Sequence, residues 1–173
     1  MSSSLTNSVE EVLQQGCVLL KRLSEEEYAR DGVSNASGTI GAHYRHVLEH
    51  FVCLLRGLGA ARINYDERER DRRIENSLCH ARLVTEHLIK QFRNLSAHDC
   101  SQECTVISSV AYETGDAAEV GSTIAREIMY CVGHAIHHYA IIKLLCVSRR
   151  LHLPYEFGVA PSTLKYGAMA ARD

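Results

Sequence analysis

Four segments of this chain carry apolar residues at helical spacing, and this pattern most restricts the folds that are open to it. Residues 5–30, 39–58, 74–95 and 121–151 repeat aliphatic or aromatic residues every three or four positions. Such a repeat gives a helix an apolar face that must pack against another element. The sequence therefore predicts an all-α fold, a four-helix bundle whose helices are joined by short or modest loops.

The connections between these helices carry weaker signals. Residues 104–113, before the last and longest helix, contain the β-branched run Thr-Val-Ile-Ser-Ser-Val. This run predicts a short irregular or extended connection or a hairpin, but one such run does not predict a sheet. Residues 62–73 are a mixed charge run, typical of a solvated linker or the start of a helix. We expect residues 1–173 to form a single domain.

Composition and charge exclude several classes of protein. The 173 residues are 46% hydrophobic and 23% charged, as in soluble globular proteins with a real core. The net charge of −2 gives neither the basic surface of a nucleic-acid-binding protein nor a polybasic membrane patch. Residues 128–147 approach the length of a membrane span, but three histidines and a lysine favour a buried bundle helix.

The seven cysteines suggest a reducing compartment. Their number is odd, and the chain is large for a disulfide-stapled scaffold. Cys100 and Cys104 are close enough in sequence to pair or to bind metal, but no neighbouring residue supports either reading. Without a basic and apolar leader at the N-terminus, we expect free thiols and a cytoplasmic protein.

Ten histidines are the unusual feature of the composition, and six of them lie in two short clusters. His134 and His138 are four residues apart, which places both on one face of the last helix. His137 lies about 60° around the helix from His134. Two imidazoles one turn apart can chelate a divalent cation.

The second histidine cluster lies on the second predicted helix. His43, His46 and His50 are separated by three, four and seven positions, so all three face the same way. Burying several imidazoles without partners costs free energy, and a shared metal ion removes that cost. The two clusters together predict a metal site between the two helices.

Two common types of metal site do not fit. A zincin needs His-Glu-x-x-His, but Ala135 follows His134. A ferritin-like di-iron site needs Glu-x-x-His on two helices, but Glu127 is followed three positions later by Tyr130. A mononuclear site with about three histidines and an open position remains, which is the pattern of a catalytic metal. Two alternatives stay open: a non-catalytic bundle with a structural metal or a protein partner, and histidines that bind no metal.

Several stretches resemble the DinB/YfiT-like superfamily of metal-binding four-helix bundles. Residues 39–51 (Thr-Ile-Gly-Ala-His-Tyr-Arg-His-Val-Leu-Glu-His-Phe) and 133–140 (Gly-His-Ala-Ile-His-His-Tyr-Ala) match its histidine motifs. Residues 65–70 (Tyr-Asp-Glu-Arg-Glu-Arg) and 157–166 resemble one bacterial DinB-like subgroup. The order and spacing of these pieces cover nearly the whole chain.

The resemblance implies a metal-ligand set. The family places one ligand on the second helix and a His-x-x-x-His pair on a later helix, which corresponds here to His46, His134 and His138. His43 and His50 are second candidates. His50 could complete the ligand set or carry a proton, and His137 is the other candidate for a catalytic role, although it suits packing beside a ligand better.

The resemblance also implies functions. Members of the superfamily include candidate metal-dependent hydrolases, S-transferases that use low-molecular-weight thiols and a thiol-dependent isomerase. We therefore expect a divalent ion, with zinc or nickel preferred and iron or manganese as further options. The expected partner is a small-molecule substrate, including a small thiol. Because bundles of this kind often pair through exposed helix faces, a homodimer is also expected.

The subgroup motif in the charge run allows two interpretations. Asp66, Arg68 and Arg70 could anchor the linker over the site by ion pairs, or they could bind an anionic substrate, and the structural role is preferred. Glu49 is next to the candidate ligand His50 in sequence. On a helix its side chain points elsewhere, so we expect it to be solvated.

Overall fold

The computed structural model describes residues 2–30, 38–113 and 117–170. Four long helices dominate it: α1 (Ser2–Leu20), α3 (Ile40–Gly57), α5 (Leu78–Arg93) and α7 (Ile124–Ser148). Four short helices and three strands complete the described part of the chain: α2 (Glu25–Ala29), α4 (Arg72–Asn76), α6 (Ala97–Ser101), α8 (Pro161–Ala170), β1 (Arg62–Asn64), β2 (Glu103–Ser108) and β3 (Ala118–Thr123).

The four long helices pack as a bundle. Helices α1 and α3 each pack against both α5 and α7. The interior is filled by apolar and aromatic side chains from all four helices. The largest fully buried ones include Leu13, Tyr44, Phe51, Phe92 and Tyr139. Burying such side chains supplies the main favourable free energy of folding.

Two of the predicted helices are each divided into two. The first ends at Leu20 rather than running on to residue 30, and α2 begins afresh with a capping box formed by Ser24 and Glu27. The third is interrupted at Ser77, which has extended backbone angles. Ser77 closes α4 and caps α5, where its side chain accepts a hydrogen bond from the amide of His80.

The prediction for the second helix matches the structure closely. Thr39 caps α3 by accepting a hydrogen bond from the amide of Ala42 at 2.8 Å, and Leu58 is its C-cap. The fourth predicted helix starts later than residue 121. Thr123 caps it by accepting a hydrogen bond from the amide of Arg126, and residues 118–123 form a strand.

A small sheet makes the all-α prediction inexact. Its order is β1-β2-β3, in which β1 is parallel to β2 and β3 is antiparallel to β2. The β-branched run supplies β2. Val106 of β2 pairs with Ile63 of β1 on one side and with Val120 of β3 on the other. The charge run thus contains a strand at its start, and the extended connection is part of a three-stranded sheet.

Helix α7 is long and apolar enough to cross a membrane by length and composition. In the structure it packs against α3 and α1, and its buried positions include Ile128, Ala135 and Ile142. The apolar residues of α7 therefore contribute to the core of the bundle, which agrees with the prediction of a bundle helix.

Candidate metal centre

Three histidines from two helices meet where α3 packs against α7. His46 comes from α3, and His134 and His138 come from successive turns of α7. The Nε2 atoms of His46 and His134 are 3.0 Å apart, and one ring nitrogen of each of the three residues lies within 4.8 Å of the other two. The arrangement matches the set that the resemblance implies.

The chemistry of this donor set fits a divalent transition metal. Each imidazole offers one nitrogen lone pair, and neutral imidazole is a good ligand for zinc, nickel, copper and iron. The three rings are half-buried, and burial lowers the pKa of His46 to about 2 and that of His134 and His138 to about 4. Since metal binding requires neutral imidazole, this environment favours the binding form.

His43 lies behind His138 as seen from the three-histidine cluster. Their Nδ1 atoms are 3.0 Å apart, so one of the two nitrogens donates a hydrogen bond to the other. A ligand histidine that binds through Nε2 has Nδ1–H free to donate, and such a hydrogen bond fixes the orientation of the ring. His43 is therefore placed to orient His138 rather than to join the three converging nitrogens.

His50 lies beside the cluster on the next turn of α3. It is 3% exposed, and its ring centroid is 4.2 Å from that of His134. Its Nδ1 is 2.8 Å from the backbone carbonyl of His46. A carbonyl only accepts, so Nδ1 carries the proton and Nε2 carries the lone pair of the neutral ring. Burial lowers the pKa of His50 to about 4, which keeps the ring neutral.

His137 takes a different position from the other histidines of its cluster. Its side chain is exposed, and its ring centroid is 5.2 Å from that of His138. It contacts His138 from outside the three-histidine cluster. Its role beside the ligands stays a prediction.

Two tyrosines form an aromatic wall around the site. The ring of Tyr65 stacks on His50 at 5.3 Å, and the ring of Tyr130 stacks on His134 at 5.6 Å. The two tyrosine rings contact each other at 5.2 Å. Tyr65 lies just after β1, so the small sheet, which the sequence analysis did not predict, positions one side of this wall.

A buried polar network lies behind the wall. The Tyr65 hydroxyl donates to Glu127 at 2.9 Å, and the Ser122 hydroxyl donates to the other carboxylate oxygen at 2.6 Å. Glu127 is 4% exposed. Cys131 lies 3.6 Å from the same tyrosine oxygen, and burial raises the pKa of its thiol to about 12. Sequence reasoning missed this network, although Glu127 on the apolar face of α7 was a signal.

The residues of the charge-run motif have separate roles. Asp66 accepts a hydrogen bond from the amide of Ser109 at 2.6 Å and so ties the linker to the end of β2. Arg68 is half-buried and donates to the backbone carbonyl of Tyr65. Arg70 is exposed. The expectation that Glu49 is solvated is wrong: it is buried in the fold, where its carboxylate accepts a hydrogen bond from the amide of Asp71 at 2.7 Å.

The fold is similar to that of a solved bacterial protein. A DinB-like protein from Bacillus subtilis, YjoA, superposes with a TM-score of 0.64 over 89% of this chain and 98% of its own. The chain has a DinB-like fold. The two sequences are 16% identical, so this likeness concerns the fold alone.

Comparisons of sequence add less to the DinB-like assignment. No protein-family model matches the chain. FK506-binding protein 5 of the fungus Rhizopus delemar is 36% identical over 107 residues. That match covers 60% of this chain but only 27% of the fungal protein.

Proposed function

We propose that this DinB-like protein is a metal-dependent enzyme whose divalent ion is held by His46, His134 and His138. The observation that carries the proposal is the convergence of these three ring nitrogens within 4.8 Å of one another. Three protein ligands and an open position form the usual pattern of a catalytic metal site. When bound, such an ion lowers the pKa of a water molecule or a small-molecule thiol, which makes a nucleophile at neutral pH.

The chain's own residues suit the proton transfer that such a nucleophile requires. His50 is neutral, buried and next to His134, and its hydrogen bond to the His46 carbonyl leaves the Nε2 lone pair free to accept a proton. His43 would hold His138 in one orientation through the contact between their Nδ1 atoms. The aromatic wall of Tyr65 and Tyr130 would limit access of bulk water.

Two reactions fit this proposal: hydrolysis with water and S-transfer with a low-molecular-weight thiol. For the second, the thiol would come from outside the chain. Burial raises the pKa of the Cys53 thiol and of the Cys131 thiol. Neither cysteine is therefore a ready thiolate nucleophile. Cysteines in the thiol form suit a reducing compartment, and we propose that the protein lies in the cytoplasm.

A test of the proposal uses zinc- and nickel-loaded protein. One set of assays offers activated esters and amides with water as the nucleophile, and a second offers electrophiles with glutathione or cysteine. We expect turnover that depends on the metal in one set, and its loss in His134→Ala. No metal-dependent turnover in either set, with the ion bound at one equivalent, would contradict the enzymatic proposal.

The alternative is a non-catalytic bundle with a structural metal. The absence of a glutamate after His134 favours it, because no zincin-type general base adjoins the ligands in sequence. Chelation separates the two proposals. A structural ion is needed for folding, so its removal would unfold the chain, whereas an enzyme of this type should remain folded without its ion.

A further inference from the structure

Arg68 lies on the linker between β1 and α4 and is tied to the wall of the histidine site. Its guanidinium donates to the backbone carbonyl of Tyr65. The ring of that tyrosine stacks on His50, with 5.3 Å between centroids. The arginine is half-buried, so it is not an ordinary solvated surface charge.

Two of the neighbouring acidic side chains have other partners. Asp66 accepts from the amide of Ser109, and Glu69 pairs with Arg56 at 2.8 Å. Within residues 2–30, 38–113 and 117–170, no Asp or Glu oxygen lies within 4.0 Å of the Arg68 nitrogens. A half-buried guanidinium without a carboxylate is unusual, because burial of a charge is costly unless it is paired.

The contact with Tyr65 links Arg68 to the histidine cluster. The ring of Tyr65 stacks on His50, and the ring centroid of His50 is 4.2 Å from that of His134. Loading this site with a divalent ion would add two further positive charges to three neutral imidazoles and one guanidinium. An anion that lies between the guanidinium and the divalent ion would be attracted by both positive charges.

We propose that Arg68 binds an oxyanion of the substrate, a carboxylate or a phosphate, while the reacting end of the same molecule lies at the three-histidine centre. The planar guanidinium has donors to spare after the Tyr65 carbonyl, and its fork matches both oxyanions. This inference rests on the proposed function and specifies its substrate class: a small anionic molecule. Asp66 would hold the linker in place while Arg68 contacts the ligand.

The test uses the full chain loaded with cobalt(II), whose visible absorption responds to ligands at an open position. Acetate, inorganic phosphate and neutral imidazole are titrated separately into the parent, Arg68→Gln, Arg68→Lys and Arg72→Gln. Arg72 is exposed at the start of α4, so its variant matches the change of net charge. The two anions distinguish carboxylate from phosphate recognition.

We expect Arg68→Gln to weaken acetate or phosphate binding about tenfold or more, as loss of a charge-assisted hydrogen bond does. Its imidazole affinity and cobalt stoichiometry should equal those of the parent. Arg68→Lys should keep part of the anion affinity, and Arg72→Gln all of it. Equal loss of imidazole and anion affinity would mean that Arg68 only holds Tyr65, and would overturn the inference.

Failure of the inference and failure of the proposed function give different results. A parent protein that binds no cobalt contradicts the metal site itself and the inference with it. A parent that binds one equivalent of cobalt, with the same anion affinities as Arg68→Gln, contradicts the inference alone.

Discussion

The Nε2 atoms of His46 on α3 and His134 on α7 lie 3.0 Å apart, across the contact between the two helices. They are separated by 88 positions in sequence, so only the packing of the bundle brings them together. His138, one turn further along α7, completes the trio. The position of this site depends on how closely α3 and α7 approach.

The pH dependence of folding follows from the buried histidines. Burial lowers the pKa of His46 to about 2 and those of His50, His134 and His138 to about 4, from 6.5. Between pH 6.5 and 4 the unfolded chain therefore binds more protons than the folded chain. Because of this difference, the free energy of unfolding of the metal-free protein should fall as the pH falls through that window.

Urea denaturation of chelator-treated protein at several pH values between 7.5 and 4.5 measures this dependence. His134→Ala should show a shallower fall than the parent, because one of the coupled groups is gone. His87→Ala is the matched control, since His87 is exposed on α5. Equal slopes for His134→Ala and the parent would contradict the account of the buried imidazoles.

Tyr65→Phe removes the hydroxyl that donates to the buried carboxylate of Glu127. An acceptor in the interior loses one partner, so we expect a loss of about 1–3 kcal/mol in the free energy of unfolding. Tyr130→Phe is the control, because its ring belongs to the same wall but is 36% exposed. A loss for Tyr65→Phe no larger than for Tyr130→Phe would show that the hydrogen bond is not important for stability.

Two glycines on the site helices should respond oppositely to alanine. A Cβ at Gly41 of α3 would lie 2.0 Å from the backbone oxygen of Glu75, so Gly41→Ala must push α4 away and destabilise the fold. A Cβ at Gly133 of α7 would meet nothing within 4 Å. Gly133→Ala should therefore gain about 0.5–1 kcal/mol from helix propensity.

Thermal unfolding of both glycine variants checks this pair. Gly133 adjoins His134 in sequence, so the stabilised variant should also keep the metal content of the parent. A destabilised Gly133→Ala, or a Gly41→Ala as stable as the parent, would mean that the α3–α4 approach or the exposed face of α7 differs from the structure.

His50→Ala tests whether the ligand set has three or four members. The converging nitrogens belong to His46, His134 and His138, and His50 lies beside them with Nδ1 bonded to a backbone carbonyl. The variant should keep about one equivalent of metal while losing proton-transfer capacity, seen as a lowered turnover rate. Loss of the metal in this variant would identify His50 as a fourth ligand and favour a closed, structural site.

The sequence predicts the helical part of this fold well because helices are encoded locally. Thr39 and Thr123 cap α3 and α7 through hydrogen bonds to amides three residues further on, and the four-residue spacing of His134 and His138 alone places them on one face. Which of the three histidines of α3 meets them depends on the rotation of that helix in the bundle. Spacing does not contain this information, and it was the family resemblance that selected His46.

The sheet could not be predicted for a related reason. Strand β1 has three residues, and β3 is largely exposed and contains Gly121, so neither shows an alternating apolar pattern. The parallel pairing of Ile63 with Val106 joins residues far apart in sequence. The burial of Glu49 was missed similarly, because its partner is a backbone amide at Asp71 in another segment.

The most direct test of the account is the metal content of tag-free protein, measured by elemental analysis. The parent, His46→Ala, His134→Ala and the control His87→Ala are each incubated with zinc or nickel and dialysed. We predict about one equivalent in the parent and the control, and its loss in both site variants, because each removes one of three ligands. No bound metal in the parent, or full metal content in His46→Ala and His134→Ala, would contradict the shared site between α3 and α7.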